Sequence, residues 1–105
     1  MQMPLLFKAL GDPVRLRLFC LLALKGEQCV CHLTRALRLP QSTISRHLGV
    51  LRSSGLVTAR RDGKWMHYQP ADDVPEELTR LLARSHETSV QAGQDMERMN
   101  ASPDC

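Results

Sequence analysis

Apolar positions recur at spacings of three and four through the first half of the chain. Turn-forming residues interrupt them at Gly11-Asp12-Pro13, Lys25-Gly26, Leu39-Pro40 and Ser53-Ser54-Gly55. Four helices fit this punctuation. The first covers about residues 4–10; the second begins at Pro13, a favoured first helical position behind the cap residue Asp12, and runs to about Lys25. Apolar on nearly every face, the second belongs at the centre of a core. A third helix, roughly 30–37, puts Val30, Leu33 and Leu37 on one side. A very short turn leads to a fourth, starting at Pro40 or Gln41, with Ile44, Leu48 and Leu51 as its core stripe. The pair is a helix-turn-helix.

Residues 56–69, LVTARRDGKWMHYQ, read as a two-stranded hairpin around Asp62-Gly63, a dipeptide suited to a two-residue type I′ turn. Trp65 and Tyr68 are expected to pack this hairpin onto the body. Asp73, followed by Pro75 and Glu76, signals the start of a fifth helix from about 75 to 98. Its stripe of Leu78, Leu81 and Leu82 gives way to the weakly apolar HETSVQAGQDMERM. Such a helix cannot be buried in so small a monomer. Its stripe, with Leu5, Leu6 and Phe7 of the first helix, is therefore assigned to a subunit interface. The expected fold is mainly α, an α+β winged helix-turn-helix with about five helices and a two-stranded wing, homodimeric. Residues 1–98 form one DNA-binding and dimerisation domain and 99–105 a flexible tail.

Composition narrows the setting. With 105 residues, 43% hydrophobic and 24% charged, the chain has the make-up of one folded domain. No apolar run approaches the ~20 residues that span a bilayer, and MQMPLLFKALGD lacks the pattern of an export leader. The expectation is a cytoplasmic protein with no membrane partner and with its four cysteines reduced. Charge sharpens the picture: residues 1–68 hold 11 Lys and Arg against 3 Asp and Glu, whereas residues 69–105 hold 3 against 8. The basic part points to a polyanion.

On the fourth helix Ser42, Arg46, Gly49 and Ser53 fall opposite the core stripe, with Ser45 beside them. Small polar groups, one arginine and a glycine suit close approach to the DNA major groove. A merely solvated face is the competing reading. Candidate contacts are Gln41, Ser42, Thr43, Ser45, Arg46 and Arg52 on the helix, with Arg60, Arg61 and Lys64 at the hairpin tip for phosphate or the minor groove.

Cys29 and Cys31 stand one residue apart beside His32. A disulfide across one intervening residue strains the bond's preferred geometry, so soft-ion coordination or thiol redox chemistry is the better use. Soft thiolates select thiophilic ions over magnesium or calcium. An oxidoreductase would want Cys-x-x-Cys near a βαβ pattern, and no hydrolytic set of side chains is evident, so the chain reads as no enzyme.

The order of these elements resembles the ArsR/SmtB family of winged-helix repressors. LFKALGDPVRLRLFCLL at 6–22, CVCHL at 29–33, QSTISRHLGVLRSSGLV at 41–57 and RRDGKWMHY at 60–68 carry the resemblance. It implies a homodimer, joined through the first and fifth helices, that binds a double-stranded operator of inverted-repeat form and leaves it when a metal or metalloid binds. Cys-Val-Cys resembles the arsenic-responsive branch, which has a third cysteine where Thr34 stands here. The resemblance implies Cys29 and Cys31 as ligands and As(III) or Sb(III) as inducer, with an organoarsenical, Cd(II) or Pb(II) as alternatives and no permanent cofactor. Cys105 is the leading candidate for a third ligand, ahead of Cys20, placed in the core, and His32. His86 alone does not make the zinc site that other members carry on the fifth helix.

Residues i and i+2 of a helix point about 200° apart. Both sulfurs can therefore close on one ion only if the first turn of the third helix is extended or frayed. The expectation is that binding deforms the helix that supports the DNA-reading helix. The closest rival is a repressor of the same fold whose Cys29 or Cys31 is oxidised, persulfidated or bridged to Cys105 or Cys20.

Overall fold

The computed structural model describes residues 2–88 and 90–101. Helices α1 (Met3–Leu10) and α2 (Pro13–Lys25) are followed by a two-residue strand β1 (Gln28–Cys29), then α3 (Val30–Leu37) and α4 (Gln41–Ser53). Strands β2 (Val57–Asp62) and β3 (Trp65–Pro70) form the wing, and α5 (Glu76–Thr88) and α6 (Val90–Ala101) close the chain. None of these helices is long and apolar enough to cross a membrane.

α2 starts where the sequence says it should. Asp12 Oδ1 accepts from the amides of Val14 at 2.8 Å and Arg15 at 3.1 Å, supplying two of the acceptors the first turn lacks. The helix stops at Gly26, whose φ of 80° is costly for a side-chain-bearing residue. Between these ends Leu18, Phe19, Leu21 and Leu22 are fully covered, and Leu33, Ile44, Leu48, Leu51 and Leu56 pack with them in one core. Truncating any of these to Ala removes on the order of 2–5 kcal/mol. α3 and α4 meet through Arg38, Leu39 and Pro40, with Arg38 in the left-handed region at φ 55°.

Four features depart from the expected plan. First, Gln28 and Cys29 pair with Tyr68 and His67, so the sheet has three strands in the order β1-β3-β2. Second, the hairpin loop is Gly63-Lys64, because Asp62 already pairs with Trp65. Positive φ occurs at Gly63 and not at Lys64, the sign pattern of type II′ rather than type I′. Third, Trp65 does not pack onto the body: it is 37% exposed with Lys64 Nζ 5.5 Å above its ring, while Tyr68 is buried.

The fourth departure is the largest. The second half of the expected helix, α6, packs against α3 within the chain instead of being left to a subunit interface. It runs to Ala101, so residues 99–101 are helical rather than tail. Its key residue is Asp95, only 1% exposed, which accepts from Arg17 Nε and Nη2 at 2.9 Å, Arg98 Nη2 at 2.9 Å and Gln91 Nε2 at 3.0 Å. Arg98 also donates to the Ala36 carbonyl at 2.6 Å and Arg17 to that of Leu37 at 3.4 Å, satisfying acceptors at the end of α3. A helix with little apolar stripe is thus held by charge. The stripe itself divides: Leu82 and Leu6 are buried within the chain, whereas Leu81, Phe7, Leu5 and Met3 are exposed.

Candidate DNA-reading surface and thiol site

α4 turns its apolar stripe inward and leaves Gln41, Ser42, Ser45, Arg46, Gly49 and Arg52 exposed, with Thr43 half-buried. A side chain at Gly49 would meet nothing within 4 Å. The protein's own packing therefore does not require glycine there. Ser53 spends its hydroxyl on the Gly49 carbonyl at 2.9 Å. On the inner edge His47 takes no part in this face. Its Nδ1 lies 3.4 Å from Arg15 Nη1 and 3.9 Å from Asp12 Oδ1, tying α4 to the start of α2.

Arg61 and Lys64 are exposed on the wing. Arg60 is exposed too, but it is engaged. Its Nη2 donates to Glu27 Oε1 at 2.6 Å and its Nε to Oε2 at 2.9 Å, a two-point grip on one carboxylate. That hydrogen bond, more than the charge alone, holds the Glu27 carboxyl below its ordinary range. Glu27 carried no sequence signal, because its partner is 33 positions away.

Cys29 is the N-cap of α3 and has an extended backbone, φ −69° and ψ 146°, while Cys31 stands in the first helical turn. The capping position removes the 200° problem. The two Sγ atoms lie 3.3 Å apart, so α3 does not have to be deformed to bring them together, contrary to the expectation from a regular helix. Two metal–thiolate bonds of ~2.3 Å meeting at about a right angle span about 3.3 Å, so the pair fits a small thiophilic ion once Cys31, which is disulfide-bonded in this structure, is reduced. Cys29 is buried and Cys31 half-buried. Among the described residues no group of three or more His, Cys, Asp or Glu is arranged to hold a metal ion, so His32 and Cys20 do not join the pair. Burial, helped by the Asp95 charge, pushes the Cys20 thiol up to about 11, which keeps it protonated and unreactive. Cys105 lies outside the described residues, as does the side chain of His86.

β1 connects the two parts of the surface. Cys29 pairs with His67, and His67 pairs with Arg60, so the three occupy one transverse row of the sheet and share its face. The thiol site is therefore joined to the wing directly, as well as to α4 through α3.

Comparison with known proteins agrees with the winged helix-turn-helix fold. Residues 12–59 match the family model described as bacterial regulatory protein, arsR family. The arsenical resistance operon repressor of Escherichia coli is 42% identical over 103 residues, covering 94% of this chain and 88% of that one. Reduced HlyU from Vibrio cholerae superposes with a TM-score of 0.69 at 31% identity, over 83% of this chain and 87% of that one. A homodimeric winged helix-turn-helix DNA-binding domain from Mycobacterium bovis gives 0.65 at 35% identity, over 81% and 75%.

Proposed function

The chain belongs to the ArsR family of bacterial regulatory proteins, whose members are DNA-binding transcriptional regulators and not enzymes, and on that premise we propose that it is a repressor released from its operator by As(III) or Sb(III). Cys29 and Cys31 supply the thiolates. The observation that carries this reading is the 3.3 Å separation of their sulfurs at the head of α3, the helix that leads through a three-residue turn into α4. The relative from Escherichia coli, an arsenical resistance operon repressor, supports the choice of ion. A third donor comes from Cys105 or from solution.

In this reading Gln41, Ser42, Thr43, Ser45, Arg46 and Arg52 face the major groove, with Arg46 reading base edges. Arg61 and Lys64 neutralise phosphate, and Arg60 does so once it leaves Glu27. The exposed Met3, Leu5, Phe7 and Leu81 join two subunits through α1 and α5, as the homodimeric relative favours. The dimer reads half-sites about one helical turn apart or a multiple of it.

The test is an equilibrium titration of reduced, anaerobic protein bound to a duplex that the protein itself has selected from a random pool. Arsenite should release the wild type about 5- to 150-fold and leave the double variant Cys29→Ser, Cys31→Ser in place. Release of both proteins, or of neither, rejects the thiol pair as the inducer site. A second reading, thiol oxidation as the signal, is favoured by the near contact of the sulfurs and by the likeness to a solved structure described as reduced HlyU. Peroxide acting where arsenite fails selects it.

A further inference from the structure

We infer that Glu27 is a built-in competitor for DNA, gripping the wing residue Arg60 so that a backbone phosphate has to compete with it, and that the thiol pair controls this grip through β1. The second half of the inference rests on the reading of Cys29 and Cys31 as inducer ligands; the first half does not.

Three observations carry it. The grip is two-point, with N···O distances of 2.6 and 2.9 Å. The grip takes the Nε–Nη2 edge and sets a carboxylate charge against the guanidinium, so a phosphate competes with Glu27 for that edge and is repelled by the carboxylate at the Nη1 donors that remain. Next, the fold does not account for Glu27. Asp12 caps α2 and Asp62 ends β2 beside the hairpin loop; Glu27, the other acid before residue 69, caps no helix and makes a solvent-exposed pair, which contributes little to stability. Last is position. Glu27 directly precedes β1, two residues from Cys29, and Cys29 lies in the same sheet row as Arg60.

The sulfurs already lie together, so closing on an ion does not need to unwind α3. What it does fix is the backbone of Cys29, and with it the two-residue strand that carries Glu27. A fixed carboxylate loses less freedom when it holds Arg60, so the occupied site strengthens the grip and weakens the wing's hold on phosphate. By reciprocity, DNA that takes Arg60 loosens β1 and weakens ion binding by the same factor.

Salt titrations of reduced, inducer-free, full-length protein on the selected duplex test the competition, using wild type, Glu27→Gln, Arg60→Gln and the double variant. Glu27→Gln should bind roughly two- to fivefold more tightly near 0.1 M salt, the range an exposed ion pair supports. Its log–log salt slope should steepen by about 0.9, the value of one extra phosphate contact. In the Arg60→Gln background the same change should alter neither. An unchanged slope, or an equal gain without Arg60, overturns the competition. Arsenite should then release Glu27→Gln several-fold less than wild type, while arsenite uptake without DNA, followed by ultraviolet absorbance, is equal in both. Equal release overturns the control by β1. A wild type that stays on DNA under arsenite rejects the thiol reading together with that control, and the salt slopes still decide the competition.

Discussion

The two ends of α3 are held by opposite means. At the C-terminal end a carboxylate that is 1% exposed is shared by Arg17 and Arg98, which also reach the carbonyls of Leu37 and Ala36. At the N-terminal end the helix is capped by Cys29 with no side-chain cap bond, joined to a two-residue strand, and flanked by an ion pair whose side chains are 55% and 28% exposed. Charges removed from water and satisfied on every side resist displacement, since moving one partner strands the other. Exposed pairs and two-residue strands do not. The lesson is mechanical: α3 has a fixed end and an adjustable one, and the thiols sit at the adjustable one.

The largest expected effect tests the fixed end. Asp95→Asn keeps the shape and removes the charge, leaving two guanidiniums, each about four-fifths covered, against a neutral amide. Unfolding by urea should show a loss of about 3 kcal/mol, within the range for breaking a buried pair. A loss below ~1 kcal/mol, the size of an exposed pair, would abolish the contrast between the two ends.

This contrast also explains what could be read in the sequence. α1 to α4 and the wing follow local rules: apolar spacing, Pro13 behind Asp12, a Gly-containing turn. All were legible to within a residue or two, because the forces that place them act between near neighbours. The fixed end was not legible. Asp95 and Arg17 are 78 positions apart, and no periodicity announces a carboxylate that will be buried by two arginines. The same applies to β1, where only pairing with His67 and Tyr68 makes a strand of Gln28 and Cys29. The spacing of Cys29 and Cys31 singles them out and requires an extended start to α3 if their sulfurs are to meet; what it does not reveal is that the extended residue is Cys29 itself, at the N-cap and already paired into β1.

A smaller effect belongs to the start of α2, which Asp12 caps and which also holds α4 through His47. Asp12→Ala should cost about 1 kcal/mol at neutral pH, as for other helix caps. Burial by itself raises the Asp12 carboxyl, but the Arg15 and Val14 amides and the Arg15 and His47 charges outweigh it and hold it below its ordinary 3.8. A depressed pKa gives stability that is complete above the unfolded value and lost as pH falls through the folded one. The cost of Asp12→Ala, measured by urea unfolding, should therefore be constant from pH 7 to 5 and shrink below pH 4. A cost that persists at pH 2 would mean the side chain acts by packing rather than by charge.

The smallest expected effect falls where the functional effect is largest. If the thiol end is adjustable because little of the fold's stability resides there, replacing both sulfurs should scarcely change unfolding. Cys31 is half-buried and packs against the core; Cys29 is covered within the core cluster, but it stands at a helix cap beside a two-residue strand. Its replacement by Ser introduces a hydroxyl at an N-cap position, where Ser is among the preferred residues. The gain in capping offsets part of the cost of a polar atom in a covered place. The double variant Cys29→Ser, Cys31→Ser should therefore unfold within ~1 kcal/mol of wild type in urea, the scale of a single ordinary surface or cap change, and bind the selected duplex with unchanged affinity in the absence of arsenite. A loss as large as that of Asp95→Asn would mean that the core depends on the sulfurs, and a variant with weakened DNA binding would show that the thiols shape the resting wing and α4. Either result removes the distinction between a fixed and an adjustable end on which a switch at Cys29 and Cys31 depends.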